Sequence, residues 1–154
     1  MLTIAKTSGA STEVTLTLSG SIDEDADLTP IREVCDGQLV LDLGGVERIN
    51  SVGVGEWIRT LQALPPSVEV TWVATSVALV SQLGMIANFN ATSRVRSFYA
   101  PYWCPRCDAE QRFLLTPADV ALGTPQFSCP RCQGPLEFDD IEADYFGAIR
   151  DLKV

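Results

Sequence analysis

Residues 39–64 read LVLDLGGVERINSVGVGEWIRTLQAL, and this stretch decides the fold. It starts in a nearly continuous apolar run, residues 38–43, which is typical of a strand buried on both faces. Gly44-Gly45 is expected to end that strand. From Ser51 onward the apolar residues follow a helical spacing of i, i+3, i+4 and i+7, on Val54, Trp57, Ile58 and Leu61. The stretch therefore predicts a buried strand that leads directly into an amphipathic helix.

The surrounding sequence extends this alternation in both directions. Residues 14–19 alternate between apolar and polar side chains, residues 68–73 do the same, and residues 94–99 resemble a last strand. Residues 28–35 and 77–89 have the composition of helices. Strands that alternate with helices predict an α/β fold, with a mostly parallel or mixed sheet and helices packed on it.

The composition changes near residue 101, where cysteine pairs, prolines and turn residues begin. We therefore predict two domains, residues 1–100 and residues 101–154. The second domain is expected to hold short strands and a helical tail, at residues 112–115, 126–128, 135–138 and 143–152. The apolar face of this tail is expected to pack either on the N-terminal domain or on a second copy of the chain, which would make a homo-oligomer.

Charge and composition exclude several classes of partner. The chain has 154 residues, 46% of them apolar and 20% charged, as in a globular protein. Its formal net charge is −9: residues 1–100 hold six basic and eleven acidic residues, and residues 101–154 hold five and nine. Neither part has the basic field that binding to nucleic acid requires. No apolar run reaches the roughly 20 residues of a membrane helix and no signal peptide is evident, so we expect a cytoplasmic protein without a membrane partner.

The chain contains no histidine. Its absence removes the most common general base, as well as the Ser/His/Asp and Cys/His arrangements of nucleophilic catalysis. The carboxylates show no catalytic pairing that we recognise. We therefore do not expect an enzyme.

Two Cys-Pro-Arg-Cys pairs are the strongest chemical signal in the chain. They have the spacing C-x2-C, 21 residues, C-x2-C, and consist of Cys104, Cys107, Cys129 and Cys132. Four thiolates complete a tetrahedral zinc site and leave no open coordination position, which predicts a structural zinc ribbon. Iron in a rubredoxin-like site is the alternative, although the tyrosine- and glycine-rich pattern associated with rubredoxins is absent. The fifth cysteine, Cys35, is expected to be a small buried apolar residue.

Asn50-Ser51 lies where the strand changes to the helix. Both residue types cap helices, because their side-chain oxygens accept hydrogen bonds from the first free N–H groups. A cap alone is one interpretation. The other is that Ser51 is phosphorylated, since the start of a helix favours negative charge.

The same segment resembles the core of a STAS domain, the fold of anti-sigma-factor antagonists and sulfate-transporter tails. In that family an apolar strand is followed by an Asp-Ser-Ser-Gly-Leu-like box that opens a helix, and here the box is Asn50-Ser51-Val52-Gly53-Val54. The resemblance covers residues 1–100 and implies a STAS-like mixed sheet, with Ser51 as the residue that a partner kinase phosphorylates. That kinase would itself be the anti-sigma factor. Two departures are that Asn50 replaces the aspartate and Val52 replaces the second serine or threonine.

Together these features predict a non-enzymatic signalling protein with a structural zinc ribbon. The resemblance implies a protein partner, such as a serine kinase that acts as an anti-sigma factor. The candidate partner-binding residues surround Ser51 and are Asn50, Val52, Gly53, Val54 and Gly55. The alternative is a structural or assembly scaffold in which the Ser51 turn is only a cap.

Overall fold

The computed structural model describes residues 1–8 and 12–152. Its strands are β1 Thr3–Ser8, β2 Glu13–Ile22, β3 Gly37–Ile49, β4 Val68–Val73, β5 Arg94–Val95, β6 Phe98–Cys104, β7 Ala109–Leu115 and β8 Glu137–Phe138. Its α-helices are α1 Thr29–Arg32, α2 Ser51–Gln62, α3 Val77–Met85 and α4 Glu142–Arg150, and a 3-10 helix spans Pro117–Val120.

The first five strands form one mixed sheet in the order β1-β2-β3-β4-β5. β1 is antiparallel to β2, and the other neighbouring strands are parallel. Helices pack on this sheet, which confirms the predicted α/β fold class. Leu16, Leu41 and Trp72 lie side by side in the strand register and are completely buried. Trp57 of α2 packs edge-on against Trp72, with ring centroids 5.6 Å apart, and so fixes α2 to the sheet.

β3 does not end at Gly44-Gly45 as predicted but continues to Ile49. The glycines lie where the register between β2 and β3 shifts, at Ser19. A Cβ atom on Gly45 would lie 2.5 Å from the Oγ of Ser19. Gly45 therefore lets the two strands stay close through the irregularity instead of breaking the strand.

Two other predicted boundaries are wrong. The strand predicted at residues 94–99 is split, because Arg94–Val95 joins the first sheet and Phe98 begins β6 of a second sheet. α3 ends at Met85 rather than at residue 89. Phe89 is nevertheless buried, since its ring packs against both Trp57 and Trp72.

The second sheet has the order β7-β6-β8 and is antiparallel. β7 and β8 correspond to the strands predicted at residues 112–115 and 135–138. Residues 126–128, which the structure describes, do not form the predicted strand. Ser128 forms only an isolated bridge to Pro135.

The C-terminal helix packs on residues of the predicted N-terminal domain, which is one of the two arrangements expected for the tail. It also packs on Phe138 of β8, which was not expected. Phe98 of β6 lies against Tyr145 and Phe146 of α4, with ring centroids 6.5 Å and 6.3 Å apart. The hydroxyl of Tyr145 donates a hydrogen bond to the main-chain oxygen of Tyr99. The predicted boundary after residue 100 falls inside β6, and the division into residues 1–100 and 101–154 stays a prediction.

Cys35 is exposed, so the expectation of a buried apolar residue is wrong. It follows the short helix α1, which ends at Arg32 instead of continuing to residue 35. No helix among residues 1–8 and 12–152 is long and apolar enough to cross a membrane.

Candidate functional site

The four paired cysteines meet in one cluster. The sulfur atoms of Cys104, Cys107, Cys129 and Cys132 all lie within 4.8 Å of one another. Two of the sulfur separations are 3.5 Å, between Cys104 and Cys132, and 3.9 Å, between Cys107 and Cys129. One metal ion bound by four thiolates needs this mutual proximity. The structure therefore brings together all four predicted ligands.

Each Cys-Pro-Arg-Cys pair forms a tight turn. Cys104 is the last residue of β6 and Ala109 the first of β7, so the first pair lies in the turn of a hairpin. The residue after each pair, Asp108 or Gln133, has a left-handed backbone with φ of 53° or 61°. Aspartate and glutamine carry no branched Cβ that would oppose this conformation.

Main-chain N–H groups point at three of the four sulfur atoms. Cys107 donates to the sulfur of Cys104 at 3.3 Å, Arg131 to that of Cys129 at 3.4 Å, and Gly134 to that of Cys132 at 3.4 Å. Such donors stabilise thiolates, the form that binds metal.

The thiols have different proton affinities without a metal. Hydrogen bonds from the main chain of Cys132 and Arg131 lower the pKa of Cys129 to about 7. Hydrogen bonds with the side chains of Cys132 and Cys104, together with burial, raise the pKa of Cys107 to about 12. A bound cation would favour the thiolate form of all four, because the ligand must be deprotonated.

The donor set fits a structural metal ion. Cys104 and Cys129 are almost fully buried, while Cys107 and Cys132 are half-buried. Soft thiolate ligands suit zinc and iron and do not suit magnesium or calcium. The site is therefore a candidate centre for a thiolate-bound metal ion with no free ligand position for a substrate.

The second candidate site is the start of α2, and its cap is Asn50. The side-chain oxygen of Asn50 accepts a 2.8 Å hydrogen bond from the N–H of Gly53. The amide nitrogen of the same side chain donates to the carboxylate of Glu24 at 2.8 Å. A hydrogen bond from the main chain of Glu24 itself, followed by the one from Asn50, holds the pKa of Glu24 below its usual value.

Ser51 is the first residue of α2, not its cap, and its side chain is exposed. Among the described residues its hydroxyl has no side-chain hydrogen bond that meets the usual distance limits. Val52 is also exposed, with 50% of its surface accessible. Asn50, Ser51 and Val52 therefore form an exposed surface at the start of α2.

The remaining candidate residues contribute less to that surface. Gly53 is buried, and a Cβ atom there would lie 2.0 Å from the main-chain oxygen of Ile22. Val54 and Gly55 are half-buried. Gly53 thus allows α2 to pack closely on the end of β2, and its position in the box serves packing.

Sequence reasoning missed a cleft beside Asn50. It has a volume of about 500 Å³ and is lined by residues from the ends of β2 and β3 and from α3, among them Asp23, Arg48, Ser81 and Gln82. Clefts commonly form at the carboxyl ends of parallel strands, and the adjacent ends of β2 and β3 were the available signal. The contribution of α3 depends on tertiary packing and has no local signal.

No protein-family model matches this chain, and no curated protein matches it.

Proposed function

We propose that this protein is a non-enzymatic signalling module that binds a protein partner through the start of α2, in the manner of an anti-sigma-factor antagonist. The observation that carries the proposal is the exposed Ser51-Val52 pair on a helix start that Asn50 caps. An exposed apolar side chain next to an accessible hydroxyl suits a switchable protein contact. The five-stranded mixed sheet is compatible with the STAS-like fold that the resemblance implies.

Phosphorylation of Ser51 is the proposed switch, and the partner is a serine kinase that acts as an anti-sigma factor. The hydroxyl is accessible to a kinase. Phosphorylation adds a charge of about −1.5 to −2, which the free N–H groups at the helix start tolerate. The same charge weakens a close contact with the partner, because it must be desolvated there. The cleft beside Asn50 provides room for a partner side chain.

The test uses a partner identified by affinity purification from the source cell. We expect Ser51→Asp to fold normally and to bind that partner at least about tenfold more weakly, because the added charge must be desolvated in the contact. Ser51→Ala should retain binding and lose the phosphoprotein signal. Ser67→Asp is the matched control, because Ser67 is an exposed serine that follows the opposite end of α2. Equal binding by wild type and Ser51→Asp would contradict the proposed switch and would favour the alternative function, a structural scaffold.

We propose that the four-cysteine centre holds zinc in a structural role. Replacement of Cys104 or Cys129 by serine should abolish stoichiometric zinc binding, whereas Cys35→Ser should retain it because Cys35 lies outside the cluster. Elemental analysis of protein purified without added metal measures this directly. Iron in place of zinc would favour the rubredoxin-like alternative.

A further inference from the structure

We propose that Arg106, and to a smaller degree Arg131, tightens metal binding by balancing the negative charge of the four-thiolate centre. This inference rests on the proposed metal site. Four thiolates and one divalent cation carry a formal charge of about −2, and Cys104 and Cys129 hold part of it in nearly complete burial. Buried charge is costly unless nearby groups compensate it.

The main chain supplies only part of that compensation. Its N–H groups reach the sulfur atoms of Cys104, Cys129 and Cys132. Among the residues that the structure describes, none donates a main-chain N–H to the sulfur of Cys107, whose near neighbour is the sulfur of Cys129. Further positive charge close to the cluster would therefore stabilise the loaded site.

Each metal-binding turn carries one arginine between its two cysteines. Within residues 1–8 and 12–152, neither Arg106 nor Arg131 forms a salt bridge. Arg112, on the neighbouring strand β7, is different because it pairs with Glu110 at 2.8 Å. The charges of Arg106 and Arg131 are thus available to act on the centre.

Arg106 crosses from its own turn to the other one. A Cβ atom on Gly134 would lie 2.7 Å from Cδ of Arg106, 3.3 Å from its guanidinium nitrogen Nη1, and 3.4 Å from the sulfur of Cys132. The guanidinium nitrogen and that sulfur are therefore at most about 7 Å apart, which is within the Debye length of about 10 Å at 0.1 M salt. The missing side chain of Gly134 makes room for this crossing.

The experiment measures zinc affinity by competition with a chromophoric chelator. At low salt we expect Arg106→Gln to raise the Kd for zinc about tenfold, within the range seen for groups that support metal ligands. Arg131→Gln should have a smaller effect, because Arg106 is the arginine whose guanidinium lies close to a sulfur atom of the opposite turn. Arg112→Gln is the matched control and should bind zinc as wild type does.

Three further measurements separate charge from packing. Arg106→Lys should recover most of the affinity, because it keeps the charge without the planar group. The difference between wild type and Arg106→Gln should shrink at about 1 M salt, where the Debye length falls to about 3 Å. Gly134→Ala displaces Arg106, so it should weaken zinc binding and add little further loss in an Arg106→Gln background.

The visible spectrum of cobalt-loaded protein shows whether all four thiolates remain ligands in each variant. An unchanged affinity in Arg106→Gln at low salt would overturn the inference, and so would a loss of equal size at high salt. A wild-type protein that binds no zinc would instead contradict the proposed metal site itself.

Discussion

The side chain of Asn50 forms hydrogen bonds through both its oxygen and its nitrogen. The oxygen caps α2 through Gly53, and the nitrogen donates to the carboxylate of Glu24. An aspartate, the residue of the resembled box, would keep the cap but could not donate to Glu24. The sequence predicts a cap at this position, but it could not predict the pairing with Glu24, which lies 26 residues away. This partner gives a physical reason for an asparagine at position 50.

Loss of the cap should be measurable at Asn50 rather than at Ser51. We expect Asn50→Ala to lower the free energy of unfolding by about 1 kcal/mol, the usual cost of removing a cap. Ser51→Ala should change it little, because Ser51 is the first helical residue and its side chain is exposed. Urea denaturation of both variants compares the two effects. A larger loss in Ser51→Ala would show that the hydroxyl supports the helix.

Asn50→Asp should change the way in which stability depends on pH, through Glu24. In the wild type the lowered pKa of Glu24 stabilises the fold at pH values above the ordinary pKa of glutamate, and this contribution is lost as pH falls through the lowered pKa. The aspartate removes the amide donor and adds a like charge, so the pKa of Glu24 should rise. The variant should therefore be destabilised most near neutral pH and least at about pH 4.

Thermal melts at several pH values check this expectation, with Glu24→Gln as the partner substitution. In the double variant the glutamine amide at position 24 can donate to the carboxylate introduced at position 50, which restores the hydrogen bond with donor and acceptor exchanged. The double variant should therefore regain stability near neutral pH. A loss in Asn50→Asp that does not change with pH would contradict the role assigned to Glu24.

At the scale of elements, the sequence predicts helices and strands best where a pattern of apolar residues within a few positions determines them. The start of α2 and the strand that begins near residue 38 follow from apolar spacing within a few residues. β1 was missed, and β3 was predicted too short at Gly44-Gly45, because both depend on pairing with β2. The division between β5 and β6 likewise depends on which sheet each segment joins. Cysteine spacing predicted which side chains cluster, because that chemistry leaves few alternatives.

Two glycines in α2 should respond oppositely to alanine. A Cβ atom on Gly53 would lie 2.0 Å from the main-chain oxygen of Ile22, so Gly53→Ala should force α2 away from β2 and cost about 1–3 kcal/mol. On Gly55 the nearest atom would be 3.7 Å away, on the flexible side chain of Arg59. Gly55→Ala should therefore stabilise the helix by about 0.5–1 kcal/mol.

The denaturation midpoints of Gly53→Ala and Gly55→Ala give the comparison, because both variants carry the same substitution in the same helix. Destabilisation of equal size in both would mean that α2 does not pack on β2 as described. Gly53→Ala should also weaken partner binding, because it moves the surface of Asn50, Ser51 and Val52.

At the scale of the molecule, buried residues from both predicted domains belong to one hydrophobic cluster. β6 begins at Phe98, which packs on α4, and ends at the candidate metal ligand Cys104. α4 also lies against α3, where a Cβ atom on Gly84 would be 3.4 Å from the main-chain oxygen of Asp144. Helix α3 in turn lines the cleft beside Asn50. The metal centre and the start of α2 are thus joined through packed elements.

This continuity predicts that the whole chain unfolds in one transition, which metal removal shifts to lower temperature. A bound metal stabilises the native state, and here β6 and α4 extend that stabilisation into the first sheet. Phe146→Ala should cost about 3–5 kcal/mol as a large buried aromatic, whereas Leu122→Ala should cost almost nothing, since Leu122 is fully exposed. Trp103 lies next to the candidate ligand Cys104, so tryptophan fluorescence is measured on a Trp103→Phe variant, which keeps only the buried Trp57 and Trp72. This signal and far-UV circular dichroism follow unfolding with and without a chelator. Coincident curves from the two probes support a single unit. Two separate transitions, with the tryptophan signal unmoved by the chelator, would instead support residues 1–100 and 101–154 as independently folding domains.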